Sequence, residues 1–287
     1  MIESPSTQAA AGMVWIPAGS FLMGSDEFYP EERPVRRVQA SGFWIDQHPV
    51  TVAEFLRFVK ETGYVTVAER PPAAADYPDA DPALLVPGSL VFQRQRGPVD
   101  LTDHRAWWAY VPGSEWRHPE GPGSDVYARA RHPVTHVAYA DAEAYAAWAG
   151  RSLPTEIEWE YAACGGLEGA RYAWGDVAFP GGRAMANTWQ GEFPWQNLHI
   201  DGHEGTSAWD VFPPNGYGLY DMTGNVWEWT CDRYRSADGD AFPRNVIKGG
   251  SHLCAPNYSL RYRPAARQGE TIDTSTCHIG FRCVLRP

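Results

Sequence analysis

Cys254 is the residue whose type and surroundings most favour chemistry. It lies in residues 248–263, a segment rich in glycine, serine, histidine and arginine, and such a segment favours an exposed thiol over a packed one. The thiolate is the nucleophile and the metal ligand, and neighbouring cations lower the pKa of a thiol. The sequence leaves two interpretations open: a functional thiol, or a buried and inert cysteine. The groups expected to lower the pKa of Cys254 are His252, Arg261, Arg263 and His278.

Short strands and a capped helix are predicted in the first part of the chain. Residues 13–24 predict a strand, a Pro-Gly turn and a second strand, and residues 43–46 predict another strand. Thr51 begins a helix, because its side chain and that of Glu54 form the pattern of a capping box. Gly63 suits the left-handed position at the end of this helix.

Two more helices are predicted before the chain returns to turns and short strands. One covers residues 141–149 and stops at Gly150. The other opens at Thr155, whose capping partner is Glu158. Residues 70–123 are rich in proline, alanine and aspartate and predict long ordered loops. We therefore expect one α+β domain over residues 13–287, with little regular structure, after a polar tail at residues 1–12.

Composition limits the function classes. The net charge of −11 makes nucleic acid an unexpected partner, because phosphate backbones repel acidic proteins. No apolar run approaches about 20 residues, so no membrane span is expected. Five cysteines at low density argue against a disulfide scaffold and predict a cytoplasmic protein. The 13 tryptophans predict large aromatic anchors within irregular structure, with a stacking surface as the alternative.

Ordered sequence blocks run through nearly the whole chain. Together they resemble the formylglycine-generating enzymes, or sulfatase-modifying factors, of bacterial type. The resemblance implies a C-type-lectin-like domain of the formylglycine-generating kind. The blocks are residues 16–24, 48–51, 64–69, 107–108, 132–134, 153–160, 187–191, 214–218, 224–229, 249–267 and 280–283.

The resemblance implies a copper-dependent oxidase. Enzymes of this family use O2 and Cu(I) to convert the cysteine of a sulfatase Cys-x-Pro-x-Arg segment into Cα-formylglycine. Soft thiolates select Cu(I), and the family holds it on two cysteines five residues apart. Cys254 matches the first, whereas the second position is Ser259. Ser251 and Trp227 match residues of the oxygen and copper pocket, and Arg261 matches a pocket arginine.

Ser259 leaves three accounts open, because a hydroxyl is a hard and neutral ligand. The serine is an engineered substitution that traps a complex, or it marks a natural paralogue that keeps the peptide groove without the chemistry. In the third account another ligand compensates, and Cys277, next to the pocket position His278, is the candidate.

The resemblance also implies two structural calcium sites. Oxygen ligands at short spacing suit Ca²⁺, although Asp221 and Glu228 taken alone would be interpreted as turn and strand-end acids. The second site is the stronger expectation, because it retains two carboxylates. The first site corresponds to Asn187, Thr188, Asp201 and His203, and the second to Asp221, Gly224, Val226 and Glu228.

Three functions follow from the resemblance. The leading one is an oxidase acting on an unfolded or nascent sulfatase, with its copper site altered by Ser259. The second is a non-catalytic paralogue that binds the sulfatase peptide and modulates the active enzyme. The third, an iron-dependent sulfoxide synthase, is disfavoured because this chain lacks the extra helical-bundle domain and the His-x3-His-x-Glu motif of such proteins.

Overall fold

The computed structural model describes residues 10–79, 81–82, 85–235, 239 and 242–287. Well under half of these residues lie in helices or strands, and the predicted α+β class with little regular structure is confirmed. The strands are β1 (Met13–Ile16), β2 (Gly19–Met23), β3 (Arg36–Ala40), β4 (Phe43–Asp46), β5 (Gly88–Phe92), β6 (Trp108–Pro112), β7 (Trp227–Tyr234), β8 (Arg244–Lys248), β9 (Arg267–Thr271), β10 (Ile279–Gly280) and β11 (Val284–Leu285). The α-helices are α1 (Val52–Thr62), α2 (Tyr139–Trp148) and α3 (Glu156–Cys164).

The strands form four small sheets within the described residues. The largest has the order β10-β7-β8-β9, with β10 parallel to β7 and the other pairs antiparallel. In its register Glu228 lies opposite Lys248, which lies opposite Arg267. This sheet carries Trp227 at the start of β7 and places the segment that follows β8, with Cys254, beside it.

The predicted strands and helix boundaries are largely confirmed. β1, β2 and β4 lie where the sequence predicts them. Thr51 and Thr155 each form a complete capping box, and Gly63 ends α1 with φ of +69°. Helix α2 begins two residues earlier than predicted, because the Asp141 carboxylate accepts a hydrogen bond from the Ala138 backbone N–H.

The prediction of loops throughout residues 70–123 is wrong in part. Strands β5 and β6 pair in antiparallel register, from Gly88 opposite Pro112 to Phe92 opposite Trp108. The pair is fixed by residues far along the chain: the Leu90 N–H donates to the Ser275 carbonyl at 3.1 Å. Glycine and proline at the strand ends are depleted in strands, which hid this pair from sequence reasoning.

Tryptophan is mainly a structural anchor, as the sequence predicts. The indoles of Trp107, Trp116, Trp159, Trp189 and Trp229 are all buried to within 2%. Trp229 packs with α1 and α2 in one apolar cluster, Trp159 lies in a second with β1, β2 and β4, and Trp107 and Trp189 lie in a third.

The boundary between a tail at residues 1–12 and a domain at residues 13–287 stays a prediction. The first nine residues of the tail predicted at 1–12 lie outside the described residues. Ala10 is buried, and its carbonyl accepts a hydrogen bond from the Met13 N–H at 3.0 Å. Among the described residues, no helix combines the length and apolar character that a membrane crossing requires.

Candidate functional site

A cleft of about 560 Å³ opens beside the start of β7. All five residues predicted to be catalytic line it: Trp227, Ser251, Cys254, Ser259 and Arg261. They come from β7 and from the irregular segment after β8, and β9 and the 274–278 loop supply further lining residues.

A tight turn brings Cys254 and Ser259 together. The Ser259 N–H donates to the Ala255 carbonyl at 2.7 Å, so the chain folds back after Cys254. The Cys254 Sγ then lies 3.7 Å from the Ser259 Oγ, and the Ser251 N–H points at the same sulfur from 3.4 Å. A hydroxyl and a backbone N–H therefore both face the thiol.

The expectation of an exposed, acidic thiol is wrong. Cys254 is only 3% exposed, and burial raises the pKa of its thiol. The Ser251 N–H, the Ser259 hydroxyl and Arg261 lower this pKa, but by less than burial raises it. The other three predicted groups are not available as cations. Arg263 is paired with Glu32, and burial lowers the pKa of His252 to about 4 and that of His278 to about 3.

The other predicted pocket residues are held in place by their own contacts. The Ser251 Oγ accepts a hydrogen bond from the Leu253 N–H at 3.2 Å, and the Trp227 N–H donates to the His278 carbonyl at 2.9 Å. Arg261 forms an ion pair with Glu31 at 2.6 Å. Its guanidinium carbon lies 3.8 Å from the centre of the Tyr29 ring.

Sequence reasoning missed several residues of the cleft. One wall is aromatic: Tyr258 stacks on Phe193 with ring centres 4.5 Å apart, and its hydroxyl meets the His104 Nδ1 at 3.0 Å. Tyr29 and Glu270 also line the cleft. Apart from Tyr258, which precedes Ser259, these residues lie far from Cys254 in the sequence. Among the aromatic residues of the cleft, the adjacent Trp107-Trp108 pair is visible in the sequence, as one of the blocks that carry the family resemblance.

Cys277 does not face the cleft. It lines a separate cavity together with His252 and Trp189, and its sulfur receives the Phe92 N–H at 3.4 Å. Its neighbours Thr276 and His278 line the cleft instead. Burial raises the pKa of the Cys277 thiol to about 12, so this residue is poorly placed and poorly ionised to replace a ligand at position 259.

The donor set beside Cys254 does not match a two-thiolate Cu(I) site. It offers one sulfur, which burial keeps in the neutral thiol form, and one hydroxyl oxygen. Cu(I) prefers soft thiolate donors, and a neutral hydroxyl is a hard one. The residues present therefore do not fit the copper centre that the family resemblance implies.

Of the residues expected at the second calcium site, Asp221 has one oxygen that is free to bind a cation. The Oδ1 of Asp221 is buried and has no hydrogen-bond partner in the described part of the chain, while its Oδ2 accepts from Asn225 at 2.7 Å. Burial raises the pKa of Asp221 to about 7. The Glu228 carboxylate is less free to bind a metal, because it accepts three hydrogen bonds from Arg282 and Trp159. Gly224 and Val226 lie between these two acids.

The first group of expected calcium ligands surrounds Asp201. The carboxylate oxygens of Asp201 already accept hydrogen bonds from the Thr188 N–H, the His203 N–H and the Gln190 side chain. The neighbouring Asn187 connects this group to the second one, since its carbonyl accepts from the Asn225 N–H at 2.9 Å. The second group is thus the better candidate for a metal.

A model of the sulfatase-modifying factor enzyme 1-like domain matches residues 1–287. The chain belongs to this family. A formylglycine-generating enzyme of Mycobacterium tuberculosis is 54% identical over 293 residues, covering 96% of this chain and 98% of that protein. The inactive C-alpha-formylglycine-generating enzyme 2 of Mus musculus is 41% identical and covers 94% and 84%.

A solved structure supports the same family fold. PvdO from Pseudomonas aeruginosa superimposes with a TM-score of 0.63 at 26% identity, over 95% of this chain and 93% of that one. The resemblance inferred from the sequence blocks is therefore confirmed. The relatives of this chain include proteins named formylglycine-generating enzyme and proteins named inactive C-alpha-formylglycine-generating enzyme 2.

Proposed function

We propose that this sulfatase-modifying factor chain binds an extended Cys-x-Pro-x-Arg segment of an unfolded sulfatase in its cleft, and that its formylglycine-generating oxidase activity is limited by Ser259. The observation that carries the proposal is the pairing of Cys254 with Ser259 at 3.7 Å in a cleft large enough for a peptide. The proposed compartment is the cytoplasm, since the chain is poor in cysteine.

The cleft supplies the contacts that an extended peptide needs. Its half-buried aromatic residues, Tyr258 and Trp108, offer surface against which a proline ring packs. Trp227 and Ser251 shape the space beside the Cys254 sulfur, where the thiol of the peptide would lie. Arg261 is neutralised by Glu31, so it serves to position the cleft wall rather than to attract an anion.

Copper and O2 supply the oxidising chemistry in the family, and Ser259 stands where this chemistry needs a second thiolate. The chain as it stands should bind Cu(I) weakly and turn over slowly, because a hydroxyl does not replace a soft anionic donor.

A second candidate function is a non-catalytic protein that binds the same segment and modulates an active enzyme. Ser259 favours it. So does the 41% identity to a relative that is named inactive.

The experiment compares the unmodified chain with Ser259→Cys and with Ser41→Cys, which adds a thiol at an exposed position outside the cleft. Cu(I) affinity is measured by competition with a colorimetric chelator, and formylglycine formation in a Cys-x-Pro-x-Arg peptide is followed by mass spectrometry. We expect only Ser259→Cys to gain affinity and turnover, and Cys254→Ser to abolish both.

Two outcomes would overturn this account. Full activity of the unmodified chain would show that Ser259 is no impairment, and loss of that activity in Cys277→Ser would identify Cys277 as the compensating ligand. Failure of the unmodified chain to bind the peptide would refute both candidate functions.

We also propose structural calcium, with the site that includes Asp221, Gly224, Val226 and Glu228 as the stronger one. The buried Asp221 Oδ1 supports it, because this oxygen has no hydrogen-bond partner among the described residues and a buried polar atom without a partner is costly. Asn187, Thr188, Asp201 and His203 are the candidates for the second ion.

A further inference from the structure

The cavity that contains Cys277 lies behind the wall of the cleft, and it is called the rear cavity here. Its volume is about 440 Å³. Ser251 and Leu253 line the cleft, while His252 between them lines the rear cavity. The same alternation occurs in residues 276–278, where only the middle residue lines the rear cavity. The rear cavity is therefore separate from the proposed peptide site, although the two share a wall.

His252 offers an unpaired acceptor to the rear cavity. The residue is only 6% exposed, and its Nδ1 lies 2.9 Å from the Asn225 carbonyl oxygen. Because a carbonyl oxygen only accepts hydrogen bonds, Nδ1 carries the proton of the neutral ring and Nε2 keeps a lone pair. Nε2 forms no hydrogen bond within the described residues, and an unpaired acceptor in a buried site is costly. A ligand that donates a hydrogen bond would remove this cost.

Thr135 is a second buried polar residue of the rear cavity. It is 8% exposed, and its hydroxyl forms no hydrogen bond with any residue that the structure describes. A hydroxyl both donates and accepts, so Thr135 can contact either kind of polar group on a ligand.

The charged residues of the rear cavity are already paired with one another. Arg94 binds Glu204 at 3.1 Å, and all four charged side chains are partly exposed. The second pair joins Arg129 to Glu120 at 2.7 Å. Two cations and two anions balance, and an ionic ligand would have to compete with an existing ion pair. This arrangement favours a neutral ligand.

The remaining lining residues include apolar ones that suit a ring. Val91 and Trp189 are buried, and the half-buried Phe92 packs edge-to-face on Trp189 with ring centres 5.6 Å apart. Binding sites for small molecules commonly combine such apolar surface with a few polar groups that fix the orientation of the ligand.

We propose that the rear cavity binds a small neutral molecule that combines an apolar ring with a hydroxyl group, which is the chemistry of a phenol. The ligand hydroxyl donates to the Nε2 of His252, Thr135 supplies a further polar contact, and the ring packs against the side of the cavity that includes Phe92. The proposal concerns a second site, and it does not depend on peptide binding in the cleft.

The test uses the full chain and two probes that differ in one group, phenol and its methyl ether anisole, which cannot donate a hydrogen bond. Dissociation constants are measured by ligand-observed NMR titration for the unmodified chain and for His252→Asn. Asparagine can still donate to the Asn225 carbonyl, but it lacks the Nε2 acceptor. We expect the unmodified chain to bind phenol about fivefold more tightly than anisole, the effect of one neutral hydrogen bond. His252→Asn should bind the two probes alike.

His199→Asn makes the same change at an exposed position that does not line the rear cavity, and it should keep the preference for phenol. An undiminished preference in His252→Asn would overturn the proposal, and so would failure of the unmodified chain to bind phenol. A second measurement needs no variant. In protein labelled with nitrogen-15 at its 9 histidines, phenol should shift an imidazole nitrogen resonance that anisole leaves in place. Unmoved imidazole resonances with phenol would also overturn the proposal.

Discussion

Cys254 combines a reactive residue type with an environment that suppresses its ionisation. The thiol is nearly inaccessible, and burial raises its pKa above the ordinary value, while the Ser259 hydroxyl lowers this pKa by a smaller amount. A raised pKa means that less thiolate is present at neutral pH. The resting thiol is therefore protected against adventitious alkylation and oxidation.

Alkylation kinetics test this property. We expect Cys254 to react with iodoacetamide more slowly than free cysteine at pH 8, with a midpoint of the pH–rate profile above that of the free amino acid. Ser259→Ala should raise this midpoint further, because it removes a hydrogen bond that favours the thiolate. Rates are measured for each cysteine by mass spectrometry, with exposed Cys231 as the internal reference. A midpoint below that of free cysteine would contradict the prediction.

Two segments that lie far apart in the sequence together hold one wall of the cleft in place. The Glu32 carboxylate binds the Arg263 guanidinium through two hydrogen bonds of 2.5 and 3.0 Å, and both side chains are buried. The Leu260 N–H donates to the Tyr29 hydroxyl at 3.0 Å. The segment that follows Cys254 is thus held by the segment of residues 28–32.

Removing one charge of this pair should be costly. Glu32→Gln leaves Arg263 buried without its counter-ion, and we expect a loss of about 3–5 kcal/mol in the free energy of unfolding. Glu168→Gln is the control, because its ion pair with Arg37 is half exposed and contributes about 1 kcal/mol at most. Urea unfolding measures both. Equal losses in the two variants would show that the buried pair does not hold the fold.

Local signals explain why some elements could be predicted from sequence and others could not. The capping boxes at Thr51 and Thr155 depend on residues three positions apart, so they are visible in the sequence. The strand pair β5–β6 depends on partners such as Ser275, almost 190 residues away, and it was missed. The surroundings of Cys254 in the sequence single it out, and the structure places it in the cleft. Its burial was not predicted, because Tyr29 and the aromatic wall come from other parts of the chain.

Buried neutral histidine sets part of the pH dependence of the whole molecule. His136 is fully buried, and burial lowers its pKa to about 3. In the unfolded chain its pKa is about 6.5, so below this pH the unfolded state binds a proton that the folded state does not. The stability contributed by neutral His136 is thus complete above pH 6.5 and is lost as the pH falls toward 3.

The titration of His136 is isolated by comparing the stability of the unmodified chain with that of a variant that lacks this histidine. His136→Asn keeps a residue that tolerates the left-handed backbone at this position, with φ of 59°, and removes the titration. Between pH 6.5 and 5 we expect the unmodified chain to lose about 2 kcal/mol more stability than the variant, measured by denaturant unfolding. Parallel pH profiles of the two proteins would refute the assignment.

Calcium should stabilise the whole domain if the proposed sites are occupied. An ion that binds only the folded state, at a hundred times its dissociation constant, adds about 2.7 kcal/mol. EGTA should therefore lower the melting temperature by several degrees, and added CaCl2 should restore it. Asp221→Asn should remove most of this response, whereas Asp76→Asn, at an exposed position, should keep it. Unchanged melting with EGTA, together with no calcium in elemental analysis, would refute the sites.

The contact between Glu32 and Arg263 also has a consequence for how the protein is made. The two residues are 231 positions apart, and so are Tyr29 and Leu260. Contacts of such long range form late, because a long loop must close before they are gained. A ribosome must therefore release nearly the entire chain before the cleft wall is complete. A chain cut short before residue 263 would lack β9, β10 and β11 and the buried partner of Glu32, so neither the largest sheet nor the cleft wall would be complete.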